Sequence, residues 1–396
     1  FKSMIQKIDF MMPSYSLYEV LHHFTLSLRD AFARAGYSCR ILEDDDRITV
    51  PFEDTPDMTI CFNGAARDDQ GRCLADFLHI PHVSCLVDPP YRFLYLTHSK
   101  YMVITCDDRF CCEMLKAAQF YNMGFMPHAA EKKLLDLPEI ERPYDVTMLA
   151  TFIDCEKRRE NWKQKFPDEI CNAMNEAIEV VLSDEVTPFI WMVQQKVHPY
   201  IWNTRGTKSA ATFDGLTLNA IFEEVELYLK GRDRIDLINA IQDVPVHIFG
   251  ASVDTSNWKE YFKDKDNVIV HPEVSYLEAL KIMRQSKVVL NSGIKNKNGA
   301  HERIFSAMAC GAVAVTNENE YVKANFVNDQ DLYLFKRSNF GQVDSKIKEY
   351  LANESKRAAI AASGKEKVRL GHTWDHRVAE LMSYATPMIE RMKSQV

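Results

Sequence analysis

No run of about 18 apolar residues occurs in the chain, so the sequence offers no helix that would span a bilayer. No two of its ten cysteines have the C-x-x-C spacing of a zinc or redox site, and no clustered Cys and His spacing marks a metal centre. The G-x-x-x-x-G-K-[ST] phosphate loop and the G-x-S-x-G nucleophile elbow are both missing, which excludes the simplest nucleoside triphosphatase and hydrolase readings. Basic charge is short as well. Against 56 Asp and Glu stand 48 Lys and Arg, a formal net charge of −8 that argues against a dedicated nucleic-acid binder. A local basic pocket for a small anion stays open. Long polar tracts and internal repeats are also absent.

What is present is an ordinary globular composition, 46% apolar and 26% charged, spread over 396 residues. That length exceeds what one hydrophobic core usually serves, so two domains are expected. Most cysteines lie in apolar stretches such as Met58-Thr59-Ile60-Cys61-Phe62, where a thiol acts as a small hydrophobe. The chain opens on Phe1 without a signal-like stretch, and a reducing cytoplasm is the expectation.

The dominant rhythm is a short apolar run, a turn and a longer helical pattern. Ile8–Met12 reads as a strand, Tyr18 to Ala35 as a helix with its apolar stripe at Val20, Leu21, Phe24, Leu28, Ala31 and Phe32, and Tyr37–Leu42 as the next strand. Such alternation implies a parallel α/β sheet. Further strands are expected at 58–62, 82–87, 101–106 and 124–126, and then, after the Leu137–Pro143 loop, at 145–150, 246–249, 268–270, 288–290, 312–316 and 332–335. The helical pattern from Lys157 to Ile241 is longer than one crossover needs and reads as an insertion. The expectation is two Rossmann-like doubly wound domains facing a cleft, over residues 1–140 and 141–372, with the insertion at about 160–240 and a last segment 373–396. Ligands in such sheets gather beyond the carboxyl ends of the strands.

One stretch after a strand end stands out, Asn291-Ser292-Gly293-Ile294-Lys295-Asn296-Lys297-Asn298-Gly299-Ala300-His301-Glu302-Arg303. A helix is expected from about Gly299 to Ala309, with Gly311 as its cap. Its free N–H groups and positive dipole end favour a phosphate, and Lys295, Lys297 and Arg303 add donors. Glu302 fits a phosphate site poorly. A ribose diol would suit a carboxylate there, since it accepts two hydroxyl hydrogen bonds; the alternative is a glutamate that only complements the helix dipole, worth about 0.3–1 kcal/mol.

The run from His301 to Thr316, His-Glu-Arg-Ile-Phe-Ser-Ala-Met-Ala-Cys-Gly-Ala-Val-Ala-Val-Thr, resembles the signature of the CgeB-like (spore-maturation-protein-like) glycosyltransferases. The tail Gly371-His372-Thr373-Trp374-Asp375-His376-Arg377-Val378 and the segment Tyr144–Ala150 with Arg158 and Arg159 are similar to that family's motifs too. The resemblance implies the GT-B fold, with a nucleotide sugar held by the second domain and an acceptor by the first. It makes Glu302 the ribose ligand and Arg303 a diphosphate or structural partner, with His301, Asn298 and Gly299 beside them. Broader GT-B retaining enzymes carry glutamates where this chain has Asn298 and Ser306, so stereochemistry is left open. The resemblance also implies a last segment that crosses back onto the first domain.

Other candidates follow strand ends. His271, with Ser275 as an N-cap for the next helix, would pack on the nucleotide base or serve as a satisfied loop histidine. Gly250 suits close backbone approach, and Arg158 reads as a diphosphate contact or part of a solvated helix face. In the first domain Asp88 is the leading general base for an acceptor hydroxyl, or else a turn aspartate. His128 is a second base, a neutral donor to phosphate or a structural histidine. Ser14, Ser16 and Asn63 are acceptor-side candidates, Asn63 being first a turn residue. Asp44-Asp45-Asp46, Asp68-Asp69 and Asp107-Asp108 read as solvated turns, and Trp191, Tyr200 and Trp202 as core of the insertion. The expected activity is metal-independent transfer of a sugar from a nucleoside diphosphate sugar to a protein, glycan or small molecule, with no cofactor besides that donor. The alternatives are a non-catalytic nucleotide-sugar binder in an assembly and a related epimerase or phosphorylase. A homo-oligomer is a further expectation.

Overall fold

A computed structural model describes residues 5–202 and 215–394. The middle of the expected insertion, 203–214, and the side chain of Trp202 lie outside the described residues, as does Phe1. The chain divides into two compact units, one of residues up to Leu137 together with those from Val368, the other Pro138–Lys367.

The first unit is built on six parallel strands, β1 (Lys7–Met11), β2 (Ser38–Leu42), β3 (Met58–Phe62), β4 (His82–Leu86), β5 (Met102–Cys106) and β6 (Met123–Phe125), in the order β2-β1-β3-β4-β5-β6. β3, β4 and β5 are buried along their whole length, as strands covered on both faces must be. Asp9 on β1 is sealed from solvent and held by Arg40 of β2, Nε to Oδ1 at 2.7 Å and Nη2 to Oδ2 at 2.6 Å. The helix Val20–Arg34 follows the expected stripe and packs against the last helix, Trp374–Ser394. Arg34 joins them through a two-pronged contact with Asp375, 2.8 Å at each oxygen. Arg377, buried, donates to the carbonyl oxygens of Pro127 and His128. Gly124 admits the Tyr384 ring, which a β-carbon there would meet at 2.5 Å. The tail is thus part of the first unit's core. Three short helices beyond the one expected, Asp46–Glu53, Leu74–Leu78 and Arg109–Ala117, complete the alternation.

The second unit carries β7 (Tyr144–Leu149), β8 (Val246–Phe249), β9 (Val268–His271), β10 (Ser286–Asn291), β11 (Val313–Asn317) and β12 (Tyr333–Phe335), all parallel, in the order β9-β8-β7-β10-β11-β12. That is the doubly wound 3-2-1-4-5-6 order, and it reverses between β7 and β10. The helices between β7 and β8 are Cys155–Lys165, Asp168–Ser183, Phe189–Trp202 and Gly215–Asn239. Trp191 and Tyr200 are exposed, contrary to expectation. The buried stripe of their helix is Phe189, Ile190, Val193 and Val197, and neither aromatic falls on it.

Candidate functional site

The reversal of strand order brings two segments of the second unit together, the turn after β7 and the loop 292–301 after β10. The helix after that loop spans Glu302–Ala309, three residues shorter than expected, because Gly299 lies in a β-bridge ahead of it. The Asn319 side-chain amide holds this part of the loop, donating to the carbonyl oxygens of Asn296 and Gly299 at 2.9 Å each. His301 is the N-cap. Its Nδ1 lies 3.2 Å from the Arg303 amide nitrogen and 2.9 Å from Glu302 Oε2. Carrying the lone pair, Nδ1 caps the helix; carrying the proton, it donates to Glu302. Glu302 is 6% exposed in the first helical turn. The other end closes as expected, with Gly311 at φ +75° and the Ala312 amide donating to Ala307 O at 3.0 Å.

The cations expected around a diphosphate are largely engaged by the protein itself. Arg303 donates to Asn291 Oδ1 at 2.9 Å, and Asn291 donates to Thr316 Oγ1 at 2.9 Å, so the guanidinium ties its helix to the ends of β10 and β11. Lys297 is only 2% exposed and donates to the carbonyl oxygens of Val181, at 3.0 Å, and Asp184, at 2.7 Å, where the helix Asp168–Ser183 ends. Burial pushes its pKa down to about 8 against the pull of Asp184 and Asp233. Asn298 donates to Glu320 Oε2 at 3.0 Å. Lys295 is half-buried in the same loop. Arg158 contacts Asp254 at 2.9 Å and Glu224 at 3.6 Å, so it belongs to a carboxylate network.

Gly250 has a steric reason: a β-carbon there would stand 2.0 Å from Ala150 O at the end of β7. His271 stacks on Phe249 with ring centres 4.2 Å apart, and its Nε2 lies 2.8 Å from His247 Nδ1. Partial burial lowers the pKa of both, and the charge of the neighbouring His271 lowers that of His247 further. Ser275 caps the helix Tyr276–Arg284, accepting from the Glu278 amide at 3.3 Å.

A carboxylate missed in the sequence ties this region together. Asp233, sealed from solvent, accepts from Ser292 Oγ at 2.7 Å, Asn317 Nδ2 at 3.2 Å and Arg337 Nη1 at 2.5 Å. Three strand ends, those of β10, β11 and β12, thereby meet on one helix of the insertion. An acid inside an apolar helical stripe, between Gly231 and Ile235, was the available signal.

In the first unit the structure brings Asp88 and Asn63 together. Asn63, at the end of β3, donates from Nδ2 to Asp88 Oδ2 at 2.8 Å and accepts at Oδ1 from the Val87 amide at 2.9 Å. Both side chains are half-buried. His128 is 6% exposed, its Nδ1 is closed off from solvent, and its Nε2 lies 3.3 Å from Asp107, itself 3% exposed. Asp107 and Asp108 are therefore not a solvated turn: both are buried, and Asp108 caps the helix Arg109–Ala117 through the Phe110 amide at 2.8 Å. Asp44-Asp45-Asp46 does form an exposed turn, running into a helix. Ser14 Oγ accepts from Arg47 at 2.5 Å, and Ser16 Oγ accepts from the Leu21 amide at 2.7 Å. Ser16 thus helps start a helix. In the tail, His372 lies against Arg377 and His376 against Thr373, each within its own segment.

Residues 232–383 match the family model described as "Glycosyl transferase-like". No curated protein matches the chain. Among solved structures, an alpha-glucosyltransferase in complex with UDP and a 13-mer DNA shares 10% identity at a TM-score of 0.56, covering 96% of this chain and 100% of that one. HepE of Anabaena in complex with UDP-glucose shares 9% at 0.54, covering 98% and 99%. A sucrose-phosphate synthase of Thermosynechococcus elongatus shares 9% at 0.53, covering 96% and 98%. The chain spans about half the length of the TarM structures it also matches, 54% and 55%, at a TM-score of 0.44. At such identities the likeness is one of fold. The two parallel six-stranded sheets with flanking helices are a GT-B-type fold, and residues 232–383 form a glycosyl transferase-like domain within it.

Proposed function

We propose that the protein is a glycosyltransferase whose second unit binds a nucleoside diphosphate sugar and whose first unit serves the acceptor. The observation that carries this reading is Glu302, a buried carboxylate in the first turn of a helix that begins just after β10, inside the matched domain. A carboxylate there accepts two hydrogen bonds from a ribose diol, and His301 Nδ1, already 2.9 Å away, would turn to capping the helix as the ribose takes its place. The sugar-transfer step forms a bond from the acceptor oxygen to the anomeric carbon and breaks the bond from that carbon to the diphosphate. The diphosphate leaves with the electron pair, and the acceptor proton passes to Asp88. Positive groups that offset the developing charge lower the barrier, a role this reading gives to Lys295. A single displacement with Asp88 as base gives an inverted anomeric configuration.

The His301–Thr316 run and the tail motif favour the CgeB-like branch of this class. A reducing compartment suits ten cysteines of which seven are buried. The second reading, a nucleotide-sugar binder without transfer activity, draws on a specific observation: Lys297, Arg303 and Arg158 all spend donors on internal partners. A thermal-shift screen against nucleoside diphosphate sugars, followed by release of nucleoside diphosphate with time, separates the two. Binding with release favours transfer, and binding without release across a broad acceptor panel favours the binder.

A further inference from the structure

The amide of Asn63 and the carboxylate of Asp88 come from the ends of neighbouring parallel strands, β3 and β4. Asn63 has φ +53°, a left-handed conformation that asparagine tolerates better than most residues, and Gly64 follows at φ +149°. This bend turns the Asn63 side chain toward the following turn, where it makes two contacts of different kinds. Its Oδ1 fixes the backbone by accepting from the Val87 amide at 2.9 Å, and its Nδ2 fixes the side chain by donating to Asp88 Oδ2 at 2.8 Å. Pro89 and Pro90 stiffen the chain on the other side of Asp88. Among the described residues the Asn63 amide is the only hydrogen-bond partner of the Asp88 carboxylate, which leaves Oδ1 for another group.

We infer that Asn63 is a positioning residue for Asp88: it holds one carboxylate oxygen and presents the other oxygen to the acceptor hydroxyl. With its backbone and one oxygen both tied to Asn63, the carboxylate has a fixed direction. This inference rests on the transferase reading above only in giving Asp88 its chemical task.

The test uses full-length protein carrying Asn63→Asp, Asn63→Gly or Asp88→Asn. Asn63→Gly keeps the left-handed backbone and deletes the amide, while Asn63→Asp places a like charge beside Asp88. The first readout is the titration midpoint of Asp88 from carboxyl-carbon NMR, with Asp88→Asn assigning the signal. Asn63→Asp is expected to raise that midpoint by about 1–2 pH units, and a midpoint equal to wild type overturns the inference. The second readout is the pH profile of UDP release from UDP-glucose with water as acceptor. Its acid limb is expected to move up with the midpoint, and Asn63→Gly to lower kcat about tenfold with KM unchanged. A moved midpoint with an unmoved limb overturns the catalytic part of the inference. Wild-type protein that binds the donor and never releases UDP overturns the transferase reading instead, and the midpoint alone then decides whether Asn63 controls Asp88.

Discussion

Lys297 donates to the carbonyl oxygen of Asp184 at 2.7 Å, and so fastens the end of an insertion helix to the loop after β10. The last carbonyls of a helix lack partners within it, and a lysine there satisfies them while complementing the negative dipole end. The loop read from sequence as an anion cradle therefore also seats the helical insertion. The insertion's second anchor is Asp233, which gathers Ser292, Asn317 and Arg337.

The cost of burying that ammonium gives a pH-dependent prediction. The folded pKa of Lys297 is about 8, below the roughly 10.4 of an exposed lysine. Between those values the unfolded chain binds a proton that the folded protein does not, so stability from this group rises with pH across the window. The unfolding free energy of wild type relative to Lys297→Met is expected to grow by about 2–3 kcal/mol from pH 7 to pH 10. Denaturant melts of both proteins at several pH values check this, and parallel profiles would show that Lys297 is not buried as described.

Gly250→Ala should be among the most damaging substitutions in the second unit. Its new methyl would stand 2.0 Å from Ala150 O, a backbone atom at a strand end that has little freedom to retreat. Overpacking of this kind costs about 1–3 kcal/mol or more. Thermal melts are expected to show a clear loss, and a melt equal to wild type contradicts the packing of β7 against β8.

In the first unit, Asp9→Ala leaves Arg40 without its buried partner. Removal of one member of a fully buried pair costs about 3–5 kcal/mol; Arg40 is partly exposed and keeps Asp54, Nη1 to Oδ2 at 2.6 Å, so a smaller loss of about 1–3 kcal/mol is expected. Asp9→Ala together with Arg40→Met should recover much of that loss, which a double-mutant cycle measures.

Asp88→Asn is expected to lower turnover by about 10²–10⁴ while donor affinity stays at the wild-type level, since the change falls in the first unit. Rate measurements alongside calorimetric donor titrations check both halves. Unchanged turnover removes Asp88 from the mechanism.

The strands were legible because parallel strands covered on both faces read as continuous apolar runs, as in Met58–Phe62 and Met102–Cys106. The start of the helix at Glu302 was not: Gly299 reads as a helix opening until Asn319, 20 residues on, is seen to hold its carbonyl. The same limit applies to the cations. Charge is visible in a sequence, but the partner of Lys297 lies 113 residues away and that of Arg158 96 residues away, and no spacing announces either. Asp107 looked like half of a solvated acidic pair, yet parallel register sets the end of β5 beside that of β6, and the aspartate is buried against His128. Asn63 and Asp88, by contrast, were each marked by following a strand, and only their contact was new.

Calorimetric titration of wild type and Glu302→Ala with a panel of nucleoside diphosphate sugars tests the central claim most directly. The account predicts binding of at least one donor by wild type and a loss of about tenfold or more in affinity in the variant, in line with one charge-assisted hydrogen bond of 1.5–3 kcal/mol or roughly that, with the melting temperature of the free protein little changed. Equal donor affinity in the two proteins would contradict it.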